Sequence, residues 1–352
     1  MSRDIAIIIG DKAVTGWLKV SVSRTMEALS GSFSVDLTTS TPEVVDMIRP
    51  GAYVQISILD GTRSAQLMEG YIDTRTTQST GSGVSISISG RDKTADLVDC
   101  AAVVTSSTWT SATVKKICDD ILKPFGLICF DYSGATDPLI DFTPQADETA
   151  YRIIEKACRS KGILALTDSW GNLVLMNGDG KTRARENLER GVNLIECNEN
   201  HDIKDRFSKY IVKGSATATG TGWNAGSSTL QATSLDTQID RYRPTIIHSE
   251  SKPTSASIQR RAAWEAQVRA GRSKTYECKV QGWIQGTIET TSEFRPWEIN
   301  QSIHLKDDAL SVDSDFIITG VNFTRDDGGE VTVLSLKHPD TYKPDPDGGL
   351  DV

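Results

Sequence analysis

A short phrase recurs in this chain, 246 positions apart (Pro50 and Pro296). The first copy reads Arg49-Pro50-Gly51-Ala52-Tyr53-Val54-Gln55-Ile56-Ser57-Ile58. It is followed by an alternating hairpin, Tyr71 to Arg75, then Gly81-Ser82-Gly83 and Val84 to Ile88, closed by Gly90-Arg91-Asp92. The second reads Arg295-Pro296-Trp297-Glu298-Ile299-Asn300-Gln301-Ser302-Ile303-His304-Leu305. A hairpin again follows, Val321 to Arg325, Asp326-Asp327-Gly328-Gly329 and Val331 to Leu336, closed by His338-Pro339-Asp340. Self-similarity on this scale points to a duplicated structural unit. Only the Arg-Pro pair and the strand rhythm recur, so two unrelated β-meanders are the competing reading. Duplication predicts that the segments near 45–96 and 291–342 share one strand order. On the letters alone, Pro50 aligns with Pro296 and Arg75 with Arg325, the hairpin tips fall at equivalent corners, and the first turn is the longer.

Periodicity divides the chain further. Residues 1–98 read as strands of a first β-barrel domain, with Phe33, Val35 and Leu37 inward against Ser32, Ser34 and Asp36. A short helix is expected from Pro42 to Ile48. Residues 99–202 form an α+β domain. In it Ser111 would cap a helix over 112–125 with a stripe of Val114, Ile117, Cys118, Ile121 and Leu122. Asp147 would cap another, carrying Ala150, Ile153, Ile154, Ala157 and Cys158 and stopping at Gly162. Ile163–Leu166 and Leu173–Met176 flank a turn at 168–172. A second β-barrel domain takes 203–215 and 275–342. It is interrupted at 216–274 by an inserted loop and helix segment, the Ser/Thr/Gly-rich run 214–237 and a helix over 257–270. A flexible tail covers 343–352. The fold class is therefore mainly β with α+β insertions: two similar β-barrel-like domains plus smaller α/β domains.

Composition excludes several partners. Lys plus Arg is 38 and Asp plus Glu is 47, a net charge of −9, opposite to the basic face of a nucleic-acid binder or of a protein docked on anionic lipid. No apolar run approaches the ~20 residues of a membrane span. The N-terminus is too short in apolar residues for a secretory core. The six cysteines lack a Cys-x-x-Cys pair and read as buried hydrophobes in a reducing compartment.

Chemistry is equally sparse. Gly180-Lys181-Thr182 ends like a phosphate loop, but Leu175 occupies the first glycine position. Gly220 to Gly226 imitates a dinucleotide loop without its spacing. His201, His248, His304 and His338 are isolated, and Asp345, Asp347 and Asp351 lack a closing glutamate. Asp119-Asp120 and Asp326-Asp327 read as solvated pairs. Arg260, Arg261, Arg269 and Arg272 read as a solvated or salt-bridged helix face. No catalytic, cofactor-binding or metal site is expected, and no cofactor.

Three stretches resemble the Mu-like phage baseplate hub family, within the wider late-control-D hubs of contractile tails: Ser85 to Cys100, Asp147 to Gly162 with its hairpin, and Ile318 to Asp340. The resemblance implies a ring-shaped homotrimer, each subunit giving two similar β-domains. It implies a structural, non-enzymatic hub that joins the six-fold tail tube to the three-fold membrane-piercing spike. It also implies contacts with tube, spike and other baseplate proteins, with no stable nucleic-acid binding and no direct membrane insertion. The hub would be located in the virion after assembly in the host cytoplasm. The alternatives are a carbohydrate-binding tail component presenting Trp109, Trp170, Trp223, Trp283 or Trp297, and a cell-wall hydrolase with distant carboxylates.

Overall fold

Alternating strands bury one face, so the elements sort by which sheet can cover that face. The computed structural model describes residues 4–10, 12–14, 17–39, 46–81, 83–103, 108–139, 141–145, 147–216, 228–249, 254–286 and 294–344. The first unit contains β1 (Asp4–Ile9), β2 (Lys12–Val14), β3 (Trp17–Thr25), β4 (Ser32–Thr39), β5 (Tyr53–Asp60), β6 (Arg63–Thr80) and β7 (Gly83–Asp92). Val20, Val22, Phe33, Val35, Leu37, Ile86 and Ile88 are buried, while Ser32, Ser34, Ser87 and Ser89 are exposed, the alternation expected of strands with one covered face.

The α+β part follows: α1 (Ala95–Asp99), α2 (Val114–Leu122), β8 (Cys129–Asp131), α3 (Ala150–Arg159), β9 (Leu164–Thr167) and β10 (Leu173–Met176). Both expected stripes are buried and meet in one cluster with Leu173 and Leu175 of β10. The caps differ from expectation. Thr113, not Ser111, accepts from Lys116 N, because Ser111 sits at φ 54° outside the helix. Thr149, not Asp147, accepts from Arg152 N. The turn at 168–172 holds through the Asp168 carboxylate, which accepts from the N–H groups of Trp170 and Asn172, both at 2.8 Å.

The chain then adds β11 (Thr182–Arg183), β12 (Leu188–Glu189) and β13 (Leu194–His201), and next β14 (Lys209–Ala216), β15 (Ser228–Leu235), β16 (Pro244–His248) and α4 (Ser255–Arg272). It ends with β17 (Lys274–Gln281), β18 (Gln301–Asp307), β19 (Val312–Asp326) and β20 (Gly329–Lys337). Two groupings differ from the sequence expectation. β11, β12 and β13, placed with the α+β domain by the 202 boundary, join the large sheet through β18 and β17. Residues 203–215, placed with the second barrel, instead supply β14, the centre of a separate β15-β14-β16 sheet on which α4 packs through Ile258 and Ala262. Part of the expected 214–237 loop is therefore a strand pair. The middle of that loop, the Gly220–Gly226 loop, residues 42–45 of the expected 42–48 helix and the tail from 345 lie outside the described residues, while Asp46 and Met47 are helical.

The large sheet runs β13-β17-β20-β19-β3-β4-β7-β6-β5-β1-β2, with β18 beside β19. Among the described residues it is an open sheet; neither half closes into a barrel by itself. Within it one five-strand order occurs twice, β3-β4-β7-β6-β5 and β13-β17-β20-β19-β18, antiparallel throughout.

The two copies agree to the residue in their central hairpins. Ile72 faces Gly90, and Ile318 faces Leu336; Thr80 faces Gly83, and Asp326 faces Gly329. Each hairpin carries one bulge, at Asp73 and at Thr319, again 246 positions apart. A second pair of bulges falls at Leu18 in β3 and Ile195 in β13, and each of those side chains is 52% exposed.

The identities that first suggested the repeat are not its structural equivalents. Gly51 N donates to Ile72 O and Asn300 N to Ile318 O, which makes Gly51 and Asn300 counterparts, both at positive φ. Pro50 thus corresponds to Ile299, and Pro296 lies outside this ladder in a bridge with Ile284. Arg75 corresponds to Val321 and Arg325 to Ser79. The two hairpin turns are also equal in length.

Where β6 crosses β7, a Cβ on Gly90 would stand 2.0 Å from Tyr71 O and one on Gly70 1.9 Å from Arg91 O. Gly90→Ala is expected to lower stability by roughly 3 kcal/mol, because backbone must move to admit the methyl. Gly81→Ala, with open space around it, is expected to change stability by under about 0.5 kcal/mol in the same denaturation series.

Candidate functional site

The two units meet along one ladder, β3 against β19, from Val20–Arg325 to Thr25–Gly320. On the inner face Val20, Val22, Val321 and Phe323 are buried, and one hydrophobic cluster takes side chains from both units. On the outer face the Ser21 hydroxyl donates to Asn322 Oδ1 at 3.0 Å. The Arg325 guanidinium lies 4.9 Å over the Trp17 ring and pairs with Glu330, closing one end. At the other end the carbonyl of the bulge residue Thr319 accepts from Met26 N at 2.8 Å and from the Thr25 hydroxyl at 3.2 Å. Lys337 of β20 reaches Glu27, to which the Tyr342 hydroxyl also donates. Burial, and then the Glu27 charge, push the Tyr342 phenol up.

Asp92, the residue that closes the first hairpin, fixes this end from behind. Its carboxylate accepts from Gly31 N at 2.6 Å and Thr94 N at 2.9 Å, and from the hydroxyls of Thr94 and Ser30. The β3–β4 corner is thereby tied to the entry of α1. Burial raises the Asp92 pKa, against the pull of these donors. Beside it Arg24 is buried, with Nε lacking a partner among the described residues; burial lowers its pKa against the opposing fields of Glu298, Asp92 and Asp168.

The residues tested for chemistry are dispersed and occupied. Lys115 and Lys116 hold Asp119 and Asp120, and Trp109 Nε1 donates to Asp120. Asp326 accepts from Gly328 N within its turn. Gly180-Lys181-Thr182 leads into β11, with Gly180 at φ 58°, Lys181 bridged to Gln301 and its ammonium paired with Asp179 at 3.0 Å. His304 bridges Asp313 and Asp315 at 2.8 and 2.9 Å, and His338 accepts from Asp340 N. On the basic face of α4, Arg261 and Arg269 both grip the buried Glu265 at 2.8 Å. Trp109, Trp283 and Trp297 are buried and Trp170 is half exposed, so they build no common sugar platform; Trp223 lies outside the described residues. Among the described residues no three His, Cys, Asp or Glu side chains converge as a metal site. An open cleft of about 600 Å³ between α3 and the η-turn at 339–342 is lined by Arg152, Glu155, Arg159, Arg272 and Lys337, without a nucleophile–base pair.

Over 295 residues the chain is 33% identical to the baseplate hub protein gp44 of Escherichia phage Mu, covering 81% of this chain and 76% of that one. It belongs to the Mu-like phage baseplate hub family. Three family domains match in order along this baseplate hub chain. They are the Mu phage baseplate assembly protein GpP-like N-terminal domain over residues 4–92, the baseplate hub protein gp44-like second domain over 94–177, and the GpP fourth domain over 254–345. The hub's fold is similar to the 43 kDa tail protein of prophage MuSo2 from Shewanella oneidensis, at 30% identity and TM-score 0.81, with 97% of this chain and 99% of that chain covered. It is also similar in fold to a tail protein of Neisseria meningitidis, at 19% identity and TM-score 0.77 over 98% and 99%. The same fold, at 12% identity and TM-score 0.56 over 97% and 78%, is found in the E. coli type VI secretion component described as resembling the T4 tail proteins gp27 and gp5.

Sequence reasoning reached the strands of the seam but not the pairing between them, since nothing local in Val20–Thr25 names a partner near residue 320. Asp92→Ala leaves two buried N–H groups unpaired and is expected to cost on the order of 3 kcal/mol in thermal or denaturant unfolding of the hub. Asp119→Ala, which removes an exposed helix pair, is expected to cost under about 0.5 kcal/mol.

Proposed function

We propose that this hub acts as a homotrimeric symmetry adaptor, joining a six-fold tail tube to a three-fold spike without catalysis. The observation that supports this reading is the repeated five-strand order with matching bulges inside one chain. Three copies of a two-unit chain offer six similar units at one level, which can meet a six-fold partner. The chain as a whole repeats only three times, which matches a three-fold partner. The dispersed and paired ionisable groups suit a mechanical part, whose work is done by shape and by backbone pairing. In this reading the partners are tube, spike and neighbouring baseplate proteins, and assembly takes place in the host cytoplasm.

Light scattering coupled to gel filtration is expected to give three chains, 3 × 38.3 = 114.9 kDa, and negative-stain images to show rings with six lobes of two alternating kinds. A single-chain mass at every concentration tested would overturn the reading. The trimer's formal charge is 3 × (−9) = −27, so phosphate is repelled as duplex passes. The expected result in a mobility-shift titration is no retained DNA, with no salt-sensitive complex appearing at low ionic strength.

A further inference from the structure

The internal repeat gives each strand of the seam a counterpart, and each counterpart has a stretch that is unpaired on one side. β3 is the outer strand of the first unit, and its outer edge is filled by residues 320–325 of β19 in the second. Carrying the equivalence through the ladders, β13 is the counterpart of β3, and residues 74–79 of β6 are the counterpart of 320–325. The same seam should therefore have a second half: β13 of one unit against β6 of another. Within the chain these two edges lie far apart in the sheet, at β13 and beyond β7, and they are not paired with each other.

Both edges are open among the described residues. From Glu196 onward β13 pairs only with β17, Leu194 being bridged to Arg190, and the 74–79 stretch of β6 pairs only with β7. Side chains along them are solvent-exposed, including Thr74, Thr76, Thr77, Gln78 and Ser79 on β6 and Asn198, Glu199, Asn200 and His201 on β13. Long unprotected edges invite pairing with another chain, and neither carries the proline, nor β6 74–79 the lysine, that would blunt it.

We propose that β13 of one chain adds, antiparallel, to the edge of β6 in a second copy of the chain, in the register of the internal seam. That register sets Thr74 opposite Asp202, Thr76 opposite Asn200 and Ser79 opposite Cys197. The contact is head-to-tail, since each chain offers one β13 and one β6 edge, so it closes rings rather than pairs. It rests on the trimer reading above and supplies the surface that reading lacks. Chemistry separates the two seams. The inner face of the internal one is Val20, Val22, Val321 and Phe323, whereas the counterparts of the middle pair, Val22 and Phe323, are Glu199 and Thr77. The seam between chains is thus polar, suited to a surface that stays in water before assembly.

The test is disulfide trapping in full-length protein carrying Cys100→Ser, which removes an exposed native thiol. T76C with N200C is expected to give covalent dimers and trimers on non-reducing gels after mild oxidation, with each single variant staying monomeric. T76C with E199C is expected to stay unlinked, because a shift of one residue turns the side chains to opposite faces. Linking of the second pair but not the first would overturn the register. If T76C/N200C stays unlinked while light scattering still reports three chains, the ring forms through another surface and this inference fails alone. If the mass is also that of one chain, both fail.

Discussion

Six residues of backbone pairing, Val20 to Thr25 against Gly320 to Arg325, are the constraint on which the rest of this hub depends. Two domains that touch through side chains can slide or rock. Two that share a ladder cannot, because each step along a strand exchanges its inner and outer faces. At this seam a slip of one would set Phe323 opposite Ser21 or Ser23, so that one strand could keep its apolar side chains in the core only by putting the polar side chains of the other there. The ladder therefore sets where the second unit sits, and with it the cluster that fills the space beneath both. The ties at its ends, Arg325 over Trp17 and the Thr319 carbonyl taken by Met26 and Thr25, keep it from fraying.

Much of the local structure was legible in the sequence. The stripe from Ala150 to Cys158 is long and periodic enough to read as one helix face, and the hairpin around Asp168 is announced by its turn residues. The repeat was legible as a rhythm and misread as an alignment. Strand identity depends on alternation, which tolerates any apolar residue inward, so the register is written in the ladder and not in chance identities such as Arg-Pro. Bulges leave no letter behind: Asp73 and Thr319 share position and function but no chemistry. β13, Leu-Ile-Glu-Cys-Asn-Glu-Asn-His, has little alternation because it is exposed on both sides, so nothing in its letters ties it to the large sheet. The seam itself, with Asp92 behind it, joins residues far apart in sequence and has no local sign.

Equal register has not meant equal packing. Gly70 and Gly90, where an added Cβ would meet a carbonyl of the facing strand, stand at the places that Phe316 and Leu336 fill in the second unit. The first copy gains a tight crossing and the second a bulky core, with the same hydrogen bonds holding each. Duplication of this kind frees the side chains to diverge once the backbone pairing is kept.

The corners between the outer two strands have diverged furthest. In the first unit β3 returns as β4 through residues 26–31, and that corner is fastened at both ends, by the Thr319 carbonyl at Met26 and by Asp92 at Gly31. In the second unit the same corner, residues 202–273, opens to admit a sheet and the helix α4, and its two strands are still held together by β13–β17 pairing. One corner is a locked hinge and the other a docking port for passenger structure. New surface can be grafted onto one unit of such a chain while the other remains plain.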